Sequence, residues 1–258
     1  MRGSNMFQTS RSMVFADGVP LHYLLQSRWN GAPRWTMVSA SEIARVDVLY
    51  GPFSAEYSGN AMGGVVEIET AIPQQREFHF DSSFFSQTFD AYGFDDTVTG
   101  YKSFASYGDK FGDTSVYFSV NRLDNDAQPQ TFRAGSGSSV SNPLAVNGTI
   151  VAPDDRGRTA NWFMDTGVVN NETTNYKFKV GHDFGQWSTL LNLAYEDRSM
   201  VNNQANTYVF DESGAPVYRG HVIDNGQQYF IPASRFATGD LQRDSLNAGL
   251  RLLGQLTD

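Results

Sequence analysis

Cysteine is absent from the 258 residues of this chain. Its absence excludes a disulfide framework, a thiol nucleophile and a cysteine-ligated zinc site. Basic residues are also few, because 19 Lys and Arg stand against 28 Asp and Glu and leave a net charge of -9. A nucleic-acid partner requires a basic patch, so we expect none. No apolar run approaches the roughly 18 residues that a membrane-spanning helix needs.

Aromatic residues and glycine are what the chain has in quantity. Aromatics make up 14% of the sequence, with 19 Phe and 12 Tyr, and there are 24 Gly. Charged residues reach only 18%, against about 25% in a typical globular domain. This composition favours an aromatic-rich β protein.

The first part of the chain, residues 1–72, reads as a compact mixed α/β unit. Short apolar runs such as Met13–Phe15 and Val65–Ile68 alternate there with glycine-containing turns. The segment Ser39–Glu42 has the spacing of a capping box, which predicts a short helical turn before a strand at Val46.

Residues 73–258 instead show alternation of apolar and polar side chains with a period of two. In one run, Val116, Phe118 and Val120 alternate with Ser115, Tyr117 and Ser119. Such alternation indicates strands with one apolar and one polar face. The predicted strands are residues 77–87, 99–107, 114–123, 174–183, 187–197 and 243–253.

The connections between these strands differ sharply in length. Residues 109–113 and 185–186 predict tight turns, whereas the polar stretches 124–171 and 199–242 read as long loops. Within the first of them, Gly135–Ser139 reads as a flexible loop. Tight turns at one end and long loops at the other are typical of an outer-membrane β-barrel.

A barrel also predicts which side chains face lipid and which face the interior. We expect the apolar set to point outward: Val116, Phe118, Val120, Leu191, Leu193, Leu250 and Leu252. We expect the alternating polar set to face the interior: Tyr117, Asn121, Asn192 and Arg251.

Three segments carry a resemblance to a known family. Ile43–Thr70 contains Tyr-Gly-Pro-Phe-Ser-Ala-Glu-Tyr-Ser-Gly and ends in Gly-Gly-Val-Val-Glu-Ile-Glu-Thr. It closely resembles the end of the plug domain of TonB-dependent outer-membrane receptors. Ala16–Leu21 resembles the "VDGVPL" strand and turn of the same plug, and Arg2–Asn5 resembles its upstream "RG" segment. The three segments occur in the family's order.

The resemblance implies a fold, a function and a place in the cell. The fold is a membrane all-β protein, with an antiparallel transmembrane β-barrel portion at 73–258 preceded by a partial α/β plug domain at 1–72. The chain is then an internal piece of a receptor in the bacterial outer membrane, in contact with outer-membrane lipid. The receptor imports a scarce solute such as a ferric siderophore, haem, cobalamin or a glycan, and its TonB contact lies in an upstream segment. The alternative is an all-β extracellular, lectin-like ligand-binding module.

The resemblance assigns structural roles to nine plug residues: Arg2, Gly3, Asp17, Gly18, Gly51, Pro52, Tyr57, Gly63 and Gly64. Two positions depart from the family pattern. Tyr50 stands where arginine is common, and Glu67 stands where asparagine is common. In the family that arginine commonly joins a buried charge network, so the departure at Tyr50 leaves the network in question here.

The segment from His22 to Trp35 is the best candidate for ligand contact. It contains His22, Tyr23, Arg28, Trp29 and Trp35, and aromatics with arginine suit a bulky anionic or aromatic solute. Packing of these side chains against the barrel wall is an equal alternative.

Nothing in the sequence indicates catalysis. The four histidines, His22, His79, His182 and His221, show no metal-ligand spacing, and no nucleophile or phosphate-loop motif is present. We therefore expect no enzyme activity, no catalytic residue, no metal and no cofactor.

Overall fold

The structure, a computed structural model, describes residues 12–22, 33–50, 57, 61 and 63–254. In these ranges the chain is mostly β-strand, with three short 3-10 turns at Trp35–Met37, Ala40–Glu42 and Ala233–Phe236. The strands are β1 (Ser12–Ala16), β2 (Val19–Pro20), β3 (Ile43–Leu49), β4 (Gly64–Thr70), β5 (Glu77–Ala91), β6 (Phe94–Phe111), β7 (Thr114–Ala127), β8 (Phe132–Ala134), β9 (Ser136–Gly137), β10 (Leu144–Asn147), β11 (Ile150–Pro153), β12 (Thr159–Asp165), β13 (Val169–Asp183), β14 (Trp187–Asn202), β15 (Asn206–Thr207), β16 (Phe210–Asp211), β17 (Gly220–Asp224), β18 (Gln227–Ile231) and β19 (Leu241–Gly254). None of the helical turns in the described ranges is long and apolar enough to cross a membrane.

The first four strands form one sheet, which we call the N-terminal sheet, in the order β2-β1-β4-β3. β1 runs parallel to β4, whereas β3 is antiparallel to it. The apolar side chains of β1 and β4 form a buried core with those of the segment between β2 and β3, which we call the connecting segment. The core residues are Val14, Ala16, Leu21, Met37, Val66 and Ile68.

The helical turn predicted at Ser39–Glu42 is confirmed. A 3-10 turn covers Ala40–Glu42, and the carboxylate of Glu42 accepts a hydrogen bond from the backbone N–H of Ser39 at 2.9 Å. Strand β3 begins at the next residue. The capping interaction therefore fixes where the chain enters the sheet.

Six long strands form a second, antiparallel sheet, which we call the long-strand sheet, in the order β5-β6-β7-β13-β14-β19. Strands that are consecutive among the six pair with each other, so β5 and β19 form the two edges of the sheet. The strands contain 14 to 18 residues. This exceeds the roughly 9–11 residues that a tilted strand needs to cross a membrane.

The two predicted tight turns are also confirmed. Gly112–Asp113 joins β6 to β7 and residues 184–186 join β13 to β14, so both lie at one end of the sheet, the turn end. The sequence did not predict a third turn, Tyr92–Gly93, at the opposite end, the loop end. Both of its residues have positive φ, 51° and 93°, which suits a two-residue hairpin turn between twisted strands.

The two faces of the long-strand sheet differ in polarity and in exposure, as predicted. On one face Phe118, Leu250 and Leu252 are 46%, 68% and 63% exposed, whereas on the other Tyr117 and Asn192 are 4% and 6% exposed. The strand register places apolar side chains side by side across the exposed face, as in the row Phe78, Tyr107, Phe118, Phe178, Leu193 and Ala248. The apolar face is therefore exposed and the polar face is covered.

The stretches predicted as long loops are instead folded, which corrects that prediction. Residues 128–168 and 203–240 form nine short strands in two sheets, β16-β10-β17-β18-β9 and β11-β12-β15 with β8. We call this unit the loop-end domain. It has its own buried core: Val146, Phe163, Met164, Ala205, Val209, Val217, Val222, Tyr229 and Ile231. Its strands are two to seven residues long, which is too short for a clear alternation in the sequence.

Gly135–Ser139, predicted as a flexible loop, is part of this domain. Ser136–Gly137 pairs with Phe230 and Tyr229 of β18, and the N–H of Gly135 donates to the carbonyl of Asn161 at 2.9 Å. A Cβ atom at position 135 would overlap the Tyr229 ring. Glycine therefore serves close packing here, not flexibility.

Candidate functional site

The polar face of the long-strand sheet is covered by the N-terminal sheet, and the contact between them is charged. Lys177 and Lys179 lie two residues apart on β13, so both side chains point to this face. Their side chains are only 5% and 1% exposed. Charged side chains this deeply buried need partners, and both partners come from the N-terminal sheet.

Lys179 pairs with Asp17, which lies in the turn between β1 and β2. The ammonium is 2.9 Å from Asp17 Oδ2 and also donates to the carbonyl and hydroxyl of Thr70. Asp17 accepts further hydrogen bonds from the N–H of Thr70 at 2.9 Å, the Thr70 hydroxyl at 2.7 Å and the amide of Asn192 at 3.1 Å. The carboxylate is therefore fully satisfied by both units.

These contacts decide the protonation of Asp17. Burial by itself raises the pKa of the carboxyl, but the charge of Lys179 and the hydrogen bonds from Thr70 favour the ionised form more strongly. The net result is a pKa below the ordinary value of 3.8. Asp17 is consequently a carboxylate at neutral pH and holds the lysine as an ion pair.

Lys177 makes the second ion pair, with Glu42 of the capping turn. Its ammonium lies 2.7 Å from Glu42 Oε1, the oxygen that also accepts the Ser39 N–H. The hydroxyl of Ser119 on β7 donates to the other oxygen at 3.2 Å. A single carboxylate thus ends the 3-10 turn and docks it on two long strands.

A further group of polar contacts lies beside these pairs. Glu196 on β14 is fully buried, accepts from Arg243 at 3.0 Å and also accepts from the hydroxyl of Thr36. The Asn175 amide donates to the Thr36 carbonyl at 2.6 Å. Arg34 donates to the hydroxyl of Ser245. The connecting segment of the N-terminal sheet is therefore hydrogen-bonded to β13, β14 and β19.

Two glycines let the backbones approach closely. A Cβ at Gly249 of β19 would overlap the side chain of Val19 in the β1–β2 hairpin, and one at Gly108 of β6 would overlap Pro73. A larger residue at position 249 would push the β1–β2 hairpin away from β19, and one at position 108 would push the segment after β4 away from β6.

The predicted ligand-contact residues fall into two groups. His22 is buried, and its Nε2 accepts a hydrogen bond from the N–H of Val14 at 3.0 Å. Trp35 packs against the core of the N-terminal sheet. Tyr23, Arg28 and Trp29 lie outside the described residues. Ligand contact by these five residues stays a prediction.

The described plug-motif residues have structural roles. Asp17 is the buried carboxylate, and Gly18 follows it with φ of 80° in the tight turn. The hydroxyl of Tyr57 donates to Glu67, one of the two departures, at 3.1 Å. Gly63 and Gly64 form the entry to β4, where Gly64 has φ of 143°. Four motif residues lie outside the described ranges: Arg2, Gly3, Gly51 and Pro52.

Tyr50, the other departure, is 71% exposed and takes no part in the buried charges. Those charges are supplied instead by Asp17 and Glu42 on one side and by Lys177 and Lys179 on the other. Sequence reasoning missed the lysines, which lie within the predicted strand at residues 174–183. Two lysines on one interior-facing side of a strand were the available signal, because interior charges need partners.

Within the described ranges, no three His, Asp or Glu side chains lie together in a way that would hold a metal ion.

Comparisons with known proteins show a similarity in the first part of the chain. Residues 1–65 match the model of the TonB-dependent receptor plug domain. No curated protein matches the sequence. Among solved structures, the siderophore receptor PirA from Pseudomonas aeruginosa is 16% identical with a TM-score of 0.34, over 77% of this chain and 35% of that chain. The chain thus spans about a third of the length of that receptor.

The N-terminal sheet lies largely within the matched residues, and its strand β4 leads directly toward β5. Residues 1–65 are therefore similar to a TonB-dependent receptor plug domain, and they are followed by an antiparallel sheet of six long strands.

Proposed function

We propose that this chain is part of a bacterial outer-membrane receptor that takes up a scarce solute with energy relayed by TonB. The observation that supports this most is the charged, buried contact between the N-terminal sheet and the long-strand sheet. In this proposal the N-terminal sheet closes the interior of the barrel, and a pull by TonB separates it from β13 to open a path.

The chemistry of the contact suits an interface that opens and closes. An ion pair buried from water recovers much of its interaction energy when both charges are hydrated again. The Asp17–Lys179 and Glu42–Lys177 pairs therefore hold one arrangement without the large loss of free energy that exposing an apolar core would bring.

The exposed face of the long-strand sheet supports a lipid partner. A contiguous apolar face across six strands is unfavourable in water, and in an outer-membrane barrel it faces hydrocarbon. The loop end, which carries the loop-end domain, then faces the outside of the cell. The TonB contact would lie upstream of the plug domain.

We propose the solute by class only, as a ferric siderophore, haem, cobalamin or a glycan. Part of its contact is proposed for the segment of His22, Tyr23, Arg28, Trp29 and Trp35, at the outer side of the plug. Substituting Arg28 or Trp29 with alanine in the whole receptor should weaken solute binding about five- to 150-fold without affecting barrel assembly.

Uptake by cells tests the function. A strain lacking the receptor gene should fail to take up one labelled member of these solute classes, and the intact gene should restore uptake. Restoration should require TonB and the proton gradient. Binding without TonB-dependent uptake would instead favour the lectin-like module, and uptake undiminished without TonB would refute the proposal.

Because these 258 residues contain no cysteine, an engineered pair can test movement of the N-terminal sheet directly. The Cβ of Val19 is 4.0 Å from the Cβ position at Gly249, a distance that suits a disulfide. In the full receptor, V19C together with G249C should abolish uptake when oxidised and recover it after reduction, while solute binding persists. The two single substitutions are the matched controls. Normal uptake by the oxidised double variant would show that the N-terminal sheet need not leave β19.

A further inference from the structure

A cleft of about 620 Å³ opens in the loop-end domain, away from the contact between the N-terminal sheet and the long-strand sheet. Its walls are the segments 132–137, 158–163 and 227–229, together with Asp154, Pro232 and Arg235. The volume lies within the range of small-molecule sites. The cleft is therefore large enough to hold a small organic molecule.

The charge of the cleft is opposite to that of the chain. Three arginines line it, Arg133, Arg158 and Arg235, against the single carboxylate of Asp154. The chain as a whole has a net charge of -9. An excess of positive charge in a strongly acidic chain points to an anionic occupant.

Two of the three guanidinium groups have no acidic partner within the part of the chain that the structure describes. The carboxylate of Asp154 is paired with Arg158, which donates to its Oδ2 from Nε at 2.9 Å and from Nη2 at 2.7 Å. Arg133 and Arg235 form no ion pair with any described residue. Their planar donor groups match the geometry of carboxylates, which they can bind with two parallel hydrogen bonds.

Besides the arginines, the cleft has an aromatic wall. Trp162 and Phe132 line it, and both rings are held by Tyr92 of the β5–β6 turn, at centroid distances of 4.1 Å and 5.4 Å. Phe132 also stacks on Phe89 at 6.1 Å. These contacts fix the wall to the first hairpin of the long-strand sheet, so a flat ligand meets preformed ring surfaces.

We propose that this cleft binds a small organic anion that carries carboxylate groups on a planar ring. Arg133 and Arg235 bind the carboxylates, and Trp162 and Phe132 contact the ring. The inference rests on the proposed function in one respect, namely that the occupant is the imported solute. Binding in the cleft itself can be measured without TonB.

Calorimetry on the full-length receptor, purified in neutral detergent, tests this. The probe is trimellitate, a benzene ring with three carboxylates, and its neutral triamide is the matched control ligand. Trimellitate should bind at one saturable site, the triamide should not bind, and citrate, which lacks the ring, should bind at least fivefold more weakly. Absent trimellitate binding, or equal binding of the triamide, would overturn the proposal, and equal binding of citrate would overturn the role of the ring.

Variants then locate the site. R133Q together with R235Q should weaken trimellitate binding at least tenfold, whereas R219Q, at an exposed arginine of the same domain outside the cleft, should leave it unchanged. Equal binding by the double variant and the wild type would assign the anion to another site and overturn the proposal. Uptake that proved independent of TonB would remove the proposed function and leave this result intact.

Discussion

Replacing Lys179 with methionine removes one charge from the interface between the N-terminal sheet and the long-strand sheet and keeps most of the volume of the side chain. Asp17 then stays buried without the ammonium that lies 2.9 Å away. Removing one partner of a buried ion pair typically costs about 3–5 kcal/mol. We expect the lower end, about 3 kcal/mol, because Asp17 keeps the donors of Thr70 and Asn192.

Hydrogen exchange of the full receptor measures this cost directly. Opening of the N-terminal sheet exposes the amides of β1 and β4, so a loss of about 3 kcal/mol should speed their exchange roughly 150-fold. The amides of β7 and β13 that are hydrogen-bonded within the long-strand sheet serve as a reference. Their exchange should change much less than that of β1 and β4.

Two controls separate the ion pair from other effects. K110M changes an exposed lysine that only donates to Gln74, and should shift the free energy by less than about 0.5 kcal/mol. D17N together with K179M removes both charges and should cost less than K179M alone. Unchanged exchange in K179M, or a double variant worse than the single one, would show that this pair does not hold the plug.

Three further predictions concern the same units. Because folding lowers the pKa of Asp17, its contribution to stability is present above its unfolded pKa of about 3.8 and is lost as the pH falls through the lower folded pKa; relative to the intrinsic exchange rate at each pH, exchange in β4 should therefore accelerate below about pH 4, and D17N should flatten this dependence. L250R places a charge on the exposed apolar face and should cost about 2–4 kcal/mol in refolding into lipid vesicles, whereas L250F should be nearly neutral. G249A should displace Val19 and destabilise the docked N-terminal sheet by about 1–3 kcal/mol, while G239A, with nothing near its added Cβ, should not, and equal thermal stability of both variants would contradict the close approach.

The long strands were predictable because their pattern is repeated and simple. Period-two alternation over ten or more residues gives both the strand and its faces, so Phe118 and Tyr117 were placed on opposite sides correctly. The turn at Gly112 followed from the short distance between two such runs. The turn at Tyr92–Gly93 was missed because Thr88–Val98 mixes Thr, Asp and aromatic residues without a regular alternation.

The loop-end domain was not predictable for a physical reason. Its core comes from single apolar residues on short strands, such as Val146, Phe163 and Val222, which are far apart in sequence. No local window contains enough of them to show a period. The charged interface is similar, since Lys177 and Glu42 are 135 residues apart and only the fold brings them together.

The two contacts that the long-strand sheet makes differ in chemistry, and this difference has a mechanical consequence. Toward the N-terminal sheet it offers lysines, serines and asparagines, which water can replace as partners when the contact opens. Toward the loop-end domain it offers aromatic rings beside polar groups, as where Tyr92 stacks on Trp162, and water cannot replace that aromatic contact. In the proposed receptor, a pull on the N-terminal end should therefore separate the N-terminal sheet from the long strands first. The loop-end domain would stay attached to the hairpin, and its cleft would keep its shape while the interior opens.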